Sequence, residues 1–218
     1  MRRKFAWAAS AVCLIWLAGC ATPKNHKNYT AFRVYAPRSV LVLPPLNQSL
    51  DVKATYGVLS TVTMPLAEMG YYVFPVAVID QFMKENGIPT ADEMHKIPLT
   101  KIHEIIGADA VLYMTVEEYG TKYSILESST IVRLKARLVD VKRGALLWNG
   151  DVDVDVGGGS GGGGLTAMLV SSAINQVIAS SIDEAHTVAA KANTQLLTTP
   201  GQGLLYGPYN PKYGTDVK

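Results

Sequence analysis

The sequence predicts an α+β fold: a single mixed β-sheet with helices packed on it, an antiparallel meander and a long C-terminal helix. Three observations predict it. Ser39-Val40-Leu41-Val42-Leu43 is an unbroken β-branched and aliphatic run closed by Pro44-Pro45, the composition of a strand buried on both faces. Residues 121–156 change to alternating patterns with a Lys142-Arg143-Gly144 turn, as antiparallel strands do. Leu165 to about Leu196 keeps apolar residues at helical spacing.

Before the first strand, Met1-Arg2-Arg3-Lys4 is basic, Phe5 to Leu17 carries no charge, and Leu17-Ala18-Gly19-Cys20 places small residues ahead of a cysteine. That is the layout of a secretory signal, and its apolar run is shorter than the ~20 residues a bilayer span takes. Leu17 to Cys20 match the bacterial lipobox, whose cysteine receives a diacylglycerol thioether and, after cleavage, an N-acyl chain. Several acyl chains anchor durably where one is marginal. Residues 1–19 are therefore expected to be removed and Cys20 to be the lipidation site. Asp after the cysteine favours inner-membrane retention; Ala21 stands there, which favours the outer membrane.

Residues 20–38 are polar without sustained periodicity and read as a lipidated tether, with Lys24, His26 and Lys27 solvated in it. The folded domain spans 39–197. After β-strand 39–43, Tyr56 to Met69 reads as a helix that Pro65 must kink or interrupt and Gly70 ends. Tyr71 to Val76 is a strand, Ala77 to Asn86 a helix stopped by Gly87, and Thr90 to Lys96 and Leu99 to Ile106 two short helices. Ala110 to Glu118 is a third strand, followed by strands at 123–127, 130–141 and 145–156. Strand–helix–strand–helix–helix–strand, then a meander and a terminal helix, gives one sheet with helices on its faces. Residues 198–218 form a Gly/Pro/Tyr-rich C-terminal tail.

Composition narrows the function. Losing Arg2, Arg3 and Lys4 with the signal leaves 17 of the 20 basic residues against 18 acidic ones, net −1, so no basic excess remains for phosphates and no nucleic-acid partner is expected. Cys13 leaves with the signal and Cys20 is acylated. No thiol is then left for a disulfide, a metal or covalent catalysis.

Gly158-Gly159-Ser160-Gly161-Gly162 satisfies G-x-S-x-G, with Asp183 and His186 following in nucleophile–acid–base order. A nucleophile elbow is one tight, strained turn, and the glycine-rich run 157–164 is too flexible to hold one. Asp183 and His186 are also neighbours on one helix rather than groups delivered from separate loops. The run reads as a connector, and it lacks the Gly-Lys-Ser/Thr of a phosphate loop. Asp151, Asp153 and Asp155 alternate with valines on one strand, ~6.5–7 Å apart and parallel, which suits a solvated face better than a calcium site. His95 and His103, near Glu93 and Glu104, fall in separate helices without metal-ligand spacing. No catalytic, metal or cofactor-binding residue is expected.

Leu165 to Ile182 is eighteen residues without a charge, whereas a solvent-facing helix normally carries several. Its Ser, Asn and Gln content disfavours a membrane span, so it packs either on the sheet or against a partner. With Met168, Val177 and Ile178 on it, a homodimer or higher homo-oligomer is expected.

The sequence resembles the bacterial lipoprotein family typified by a meningococcal vaccine-candidate lipoprotein. The resemblance covers essentially the whole chain after the signal. It is carried by Leu17 to Cys20, Ser39 to Asn47, Gly70-Tyr71-Tyr72-Val73-Phe74-Pro75, Gly107-Ala108-Asp109-Ala110-Val111-Leu112 and Leu204-Leu205-Tyr206-Gly207-Pro208-Tyr209. More distantly, the order of elements is similar to the curli-secretion channel subunit, penicillin-binding-protein activators, transport auxiliary lipoproteins and the N-terminal domain of the Tol propeller protein. What the resemblance implies is a non-enzymatic, periplasm-facing lipoprotein serving an envelope protein complex for transport or secretion, with no catalytic residues to carry over. The alternative is a pore-forming subunit in which residues 108–156 supply membrane-inserting hairpins.

Overall fold

A computed structural model describes residues 27–123, 128–157 and 184–216. The signal at 1–19, Cys20, Ser160, Asp183 and the uncharged stretch 165–182 lie outside the described residues. In chain order the elements are α1 (Thr30–Tyr35), β1 (Ser39–Val42), β2 (Leu46–Asn47), α2 (Ala54–Glu68), β3 (Tyr72–Val73), α3 (Val76–Glu85), α4 (Ala91–Met94), α5 (Leu99–Ile105), β4 (Ala110–Tyr123), β5 (Ser128–Asp140), β6 (Leu146–Val156) and α6 (Glu184–Thr198). The strands make one six-stranded mixed sheet in the order β3-β1-β4-β5-β6, with β2 pairing β4 just beyond the end of β1. β1 is parallel to β3 and β4, and β4, β5 and β6 are an antiparallel meander.

β1 is apolar without alternation because both its faces are covered. Val40 and Val42 join Ala110, Leu112, Met114, Leu134 and Leu138 beneath α2 and α6. Leu41 and Leu43 join Val111, Tyr113 and Val139 beneath α3, α4 and α5. Those three helices cover only the β1 side of their face, and the rest of it, along β4, β5 and β6, faces solvent.

The register slips by one residue between Val116 and Glu118, a β-bulge. Up to Val116 the even-numbered residues of β4 face the core; beyond the bulge Tyr119 does. The extra residue puts Glu117 and Glu118 on the same, open side, where each meets a cation of β5. Tyr119 reaches across to α2, where a Cβ on Gly57 would lie 2.3 Å from its hydroxyl oxygen, so only glycine fits there.

Several boundaries differ from those the sequence suggested. The stretch 27–38, expected in the tether, contains α1, and its Tyr29 and Phe32 are buried in the core. Six helical residues are too few to show a period, which is why the helix was not apparent. Pro65 neither kinks α2 to an end nor interrupts it: the helix continues to Glu68, and the buried proline ring packs on the core in its last turn. β3 is two residues long, because Pro75 already stands as the N-cap of α3. The separate strand expected at 123–127 is not separate where described, since β4 continues to Tyr123.

The C-terminal segment is folded onto the domain. Leu204 and Leu205 are buried, Gly207 N–H donates to the Met69 carbonyl (2.7 Å) and Tyr209 N–H to the Gly70 carbonyl (3.1 Å). Gly70 sits at φ +89°, and a Cβ on it would meet the Asn210 backbone nitrogen at 2.4 Å. The Tyr29 hydroxyl donates to the Gly203 carbonyl (2.6 Å) and the Tyr71 hydroxyl to that of Leu205.

The sheet has two distinct ends. The starts of β1, β3 and β4, the β5–β6 turn and α1 lie at one, where Phe32 meets the Tyr71 ring and the Arg143 guanidinium stacks on Tyr35. At the other, Gln48 bonds to the Val116 carbonyl and Asp51 lies beside Gly120.

Candidate functional site

The open face of β4, β5 and β6 is where the sequence placed its charged ladder. Alternation along β5 aims Arg133, Lys135 and Arg137 outward, while Val132, Leu134, Ala136 and Leu138 are buried. The register sets Arg133 opposite Asp153 and Lys135 opposite Asp151. Arg133 binds Asp153 through Nη2 (2.7 Å) and Nε (2.9 Å) and lies 3.5 Å from Glu118. Lys135 pairs with Glu117 across β4, and Lys122 with Glu118 at 3.1 Å. Anions and cations are thus cross-linked over three strands, as the alternation of Asp151, Asp153 and Asp155 with valines suggested.

Where this face meets the covered one, Arg137 stacks on Tyr113 (4.5 Å to the ring centre) and Tyr113 packs edge-on against His95 (5.2 Å, 78°). His95 Nε2–H donates to the Pro44 carbonyl oxygen at 2.9 Å. Burial holds the imidazole below its ordinary pKa, with Arg137 acting in the same direction and the Pro44 bond against it. Burial likewise raises the Tyr113 phenol. His95 is a satisfied, structural histidine, and His103 is exposed on α5, a separate helix.

His186 bonds to Ser60 Oγ of α2 (3.0 Å), fastening α6 to its neighbour. Deeper in the same contact, Asn193 is fully buried and donates to the Val58 carbonyl (3.0 Å) and Thr61 Oγ1 (2.9 Å). Ser160 and Asp183 lie outside the described residues, as does Cys20. Among the described residues no group of three His, Cys, Asp or Glu side chains gathers to hold a metal, and no helix is long and apolar enough to cross a membrane. Among the described residues, one cavity of about 310 Å³ lies between Lys27, Ala31 and Leu146 to Asn149, and another of about 190 Å³ beside Tyr71, Tyr206 and Asp216.

Sequence reasoning overlooked the work of Asp109. Its Oδ2 accepts from Arg38 N–H (3.0 Å), Ser39 N–H (3.1 Å) and Ser39 Oγ (3.1 Å), and its own N–H donates to Ser39 Oγ (3.0 Å). This clamp seats the start of β1 beside β4. Gly107-Ala108-Asp109 was visible as a motif, but its partner lies 70 residues away.

Comparison with known proteins finds the following similarities. The GNA1162-like lipoprotein family model matches residues 27–209. Lipoprotein NMB1124/NMB1162 of Neisseria meningitidis serogroup B is 46% identical over 194 residues, 88% of this chain and 90% of that protein. The crystal structure of lipoprotein GNA1162 from Neisseria meningitidis is 50% identical, with a TM-score of 0.55, covering 65% of this chain and 98% of its own. The PelC dodecamer from Paraburkholderia phytofirmans is similar at 15% identity and a TM-score of 0.45, over 78% of this chain and 91% of its own. With a family model spanning the described domain and a relative near half identity over most of both chains, this protein belongs to the GNA1162-like lipoprotein family.

Proposed function

We propose that this lipoprotein is a non-enzymatic, periplasm-facing component of the outer membrane, anchored by acyl chains on Cys20. In this reading it is an adaptor or assembly subunit of an envelope transport or secretion complex, and it works as a homodimer or higher homo-oligomer. The open charged face carries the reading. A rigid sheet that displays Arg133, Lys135 and Arg137 against Glu117, Glu118, Asp151 and Asp153 can select a protein partner by charge register. Against the pore reading stands the packing of α2 and α6 on the apolar side of β4, β5 and β6 among the described residues.

The test is site-specific photo-crosslinking in cells, with the probe at Asp151 on the open face and, for comparison, at Gln81 on exposed α3. A discrete heavier species from Asp151 and none from Gln81 is expected, and mass spectrometry of that species distinguishes a second copy from another envelope protein. Identical, diffuse products from both positions would defeat the adaptor reading.

A further inference from the structure

The sheet end that carries α1 has exposed apolar and cationic side chains side by side. Val34 of α1 is 69% exposed and Leu146, at the start of β6, 54%. Lys142 and Arg143 of the β5–β6 turn are exposed beside them; Asp140 beneath the turn is buried, accepting from the Arg143 N–H and lying 3.7 Å from its guanidinium, which leaves Lys142 as an exposed cation of the turn. Lys27 lies against the same surface, its ammonium over the Trp148 ring and bonded to the Asn149 carbonyl.

Chain length says what covers this surface. Because Tyr29 and Phe32 are buried, the free leader is not the whole of 20–38. Only residues 21–26 separate Cys20 from Lys27, and seven extended steps reach at most about 25 Å. If Cys20 is acylated, the Lys27 surface is held within that distance of the lipid. Exposed aliphatic groups ringed by Lys and Arg are what an interface of acyl chains and phosphate headgroups accommodates.

We propose that α1 and the β5–β6 turn form a membrane-docking surface, with Val34 and Leu146 at the headgroup boundary and Lys27, Lys142 and Arg143 against lipid phosphates. The domain then stands with its strands running away from the bilayer. The rival contact is the exposed pair Leu50 and Val52 at the other end, level with Gly120, ten residues or about 33 Å up β4 from Ala110. This proposal rests on the Cys20 anchor, so the experiment reads the two separately.

Val34→Cys, Leu146→Cys and Leu50→Cys are made in the full chain, processed in a Gram-negative host and labelled with a fluorophore; the wild type labelled in parallel gives the Cys20 background. In vesicles of phosphatidylethanolamine and phosphatidylglycerol containing a headgroup nitroxide quencher, labels at 34 and 146 should be quenched several-fold more than the label at 50. The intact mass of each preparation reports acylation. An acylated chain quenched equally at all three sites, or most at 50, overturns the docking surface alone. An unacylated chain that keeps the 34 and 146 pattern overturns the anchor and retains the surface. An unacylated chain with no quenching overturns both.

Discussion

Asp109 concentrates more of the fold in one side chain than any motif in the sequence announces. Its carboxylate accepts three bonds from the Arg38–Ser39 segment, and bonds to a charged acceptor contribute about 1.5–3 kcal/mol each when their loss leaves donors unpaired. Asp109 is only half-buried, so water replaces part of what is lost, and Asp109→Ala should lower unfolding stability by about 2–4 kcal/mol, less than the sum of the three bonds, read as a shift in the urea midpoint with unchanged slope. Asp109→Asn, which keeps one carbonyl acceptor, should lose less; equal losses would mean that charge matters and geometry does not. Residue chemistry was legible where it is local. His95 and His103 both read as surface or satisfied histidines; His103 is exposed, and His95 is satisfied through Pro44. The acceptors of Tyr29 and Tyr71 were not legible, because both are carbonyls of the C-terminal segment, 174 and 134 residues on.

Among the elements, those with a long period were readable and those set by a single residue were not. β1 and the meander follow from composition and alternation, whereas the bulge at Glu117 leaves no mark in a sequence of mixed polar residues. Its removal should be mild. Glu117 is the one residue that β4 has in excess, so deleting it leaves Val116 opposite Leu134, Glu118 opposite Arg133 on the open side and Tyr119 in the core, now in unbroken alternation. What is lost directly is the exposed pair with Lys135, worth under about 1 kcal/mol, and Glu117→Gln loses the same pair while keeping the bulge. Both variants should be soluble and unfold cooperatively by circular dichroism. An insoluble deletion variant beside a folded Glu117→Gln would show that the bend given to β4 by the extra residue is needed to seat Tyr119 on α2.

Across the whole molecule, the N-terminal α1 and the C-terminal segment close the same end of the sheet, and one titration should report that closure. Burial, with Asp216 acting in the same direction, pushes the Tyr29 phenol up to about 12, and burial raises Tyr71 still further. The unfolded chain loses these protons near the ordinary value of about 10. Stability from the neutral phenols is therefore fully present below pH 10 and declines as pH rises through about 12. Denaturation midpoints should be flat up to pH 10 and then fall, and Tyr29→Phe should flatten part of that fall; an unaltered profile in the variant would remove Tyr29 from the account. The order of strands and helices was legible at this scale, and the packing of the chain's two ends on each other was not. The bond from Tyr29 to Gly203 also carries a temporal meaning. A chain that emerges N-terminus first, from a ribosome or through a membrane pore, exposes α1 long before its partner arrives. The burial of Tyr29, Phe32 and Tyr71 cannot be complete until Gly203 and Leu205 are out. Closure of this end of the sheet is therefore a late event, and a chain lacking Gly203 and Leu205 has no acceptors for the Tyr29 and Tyr71 hydroxyls.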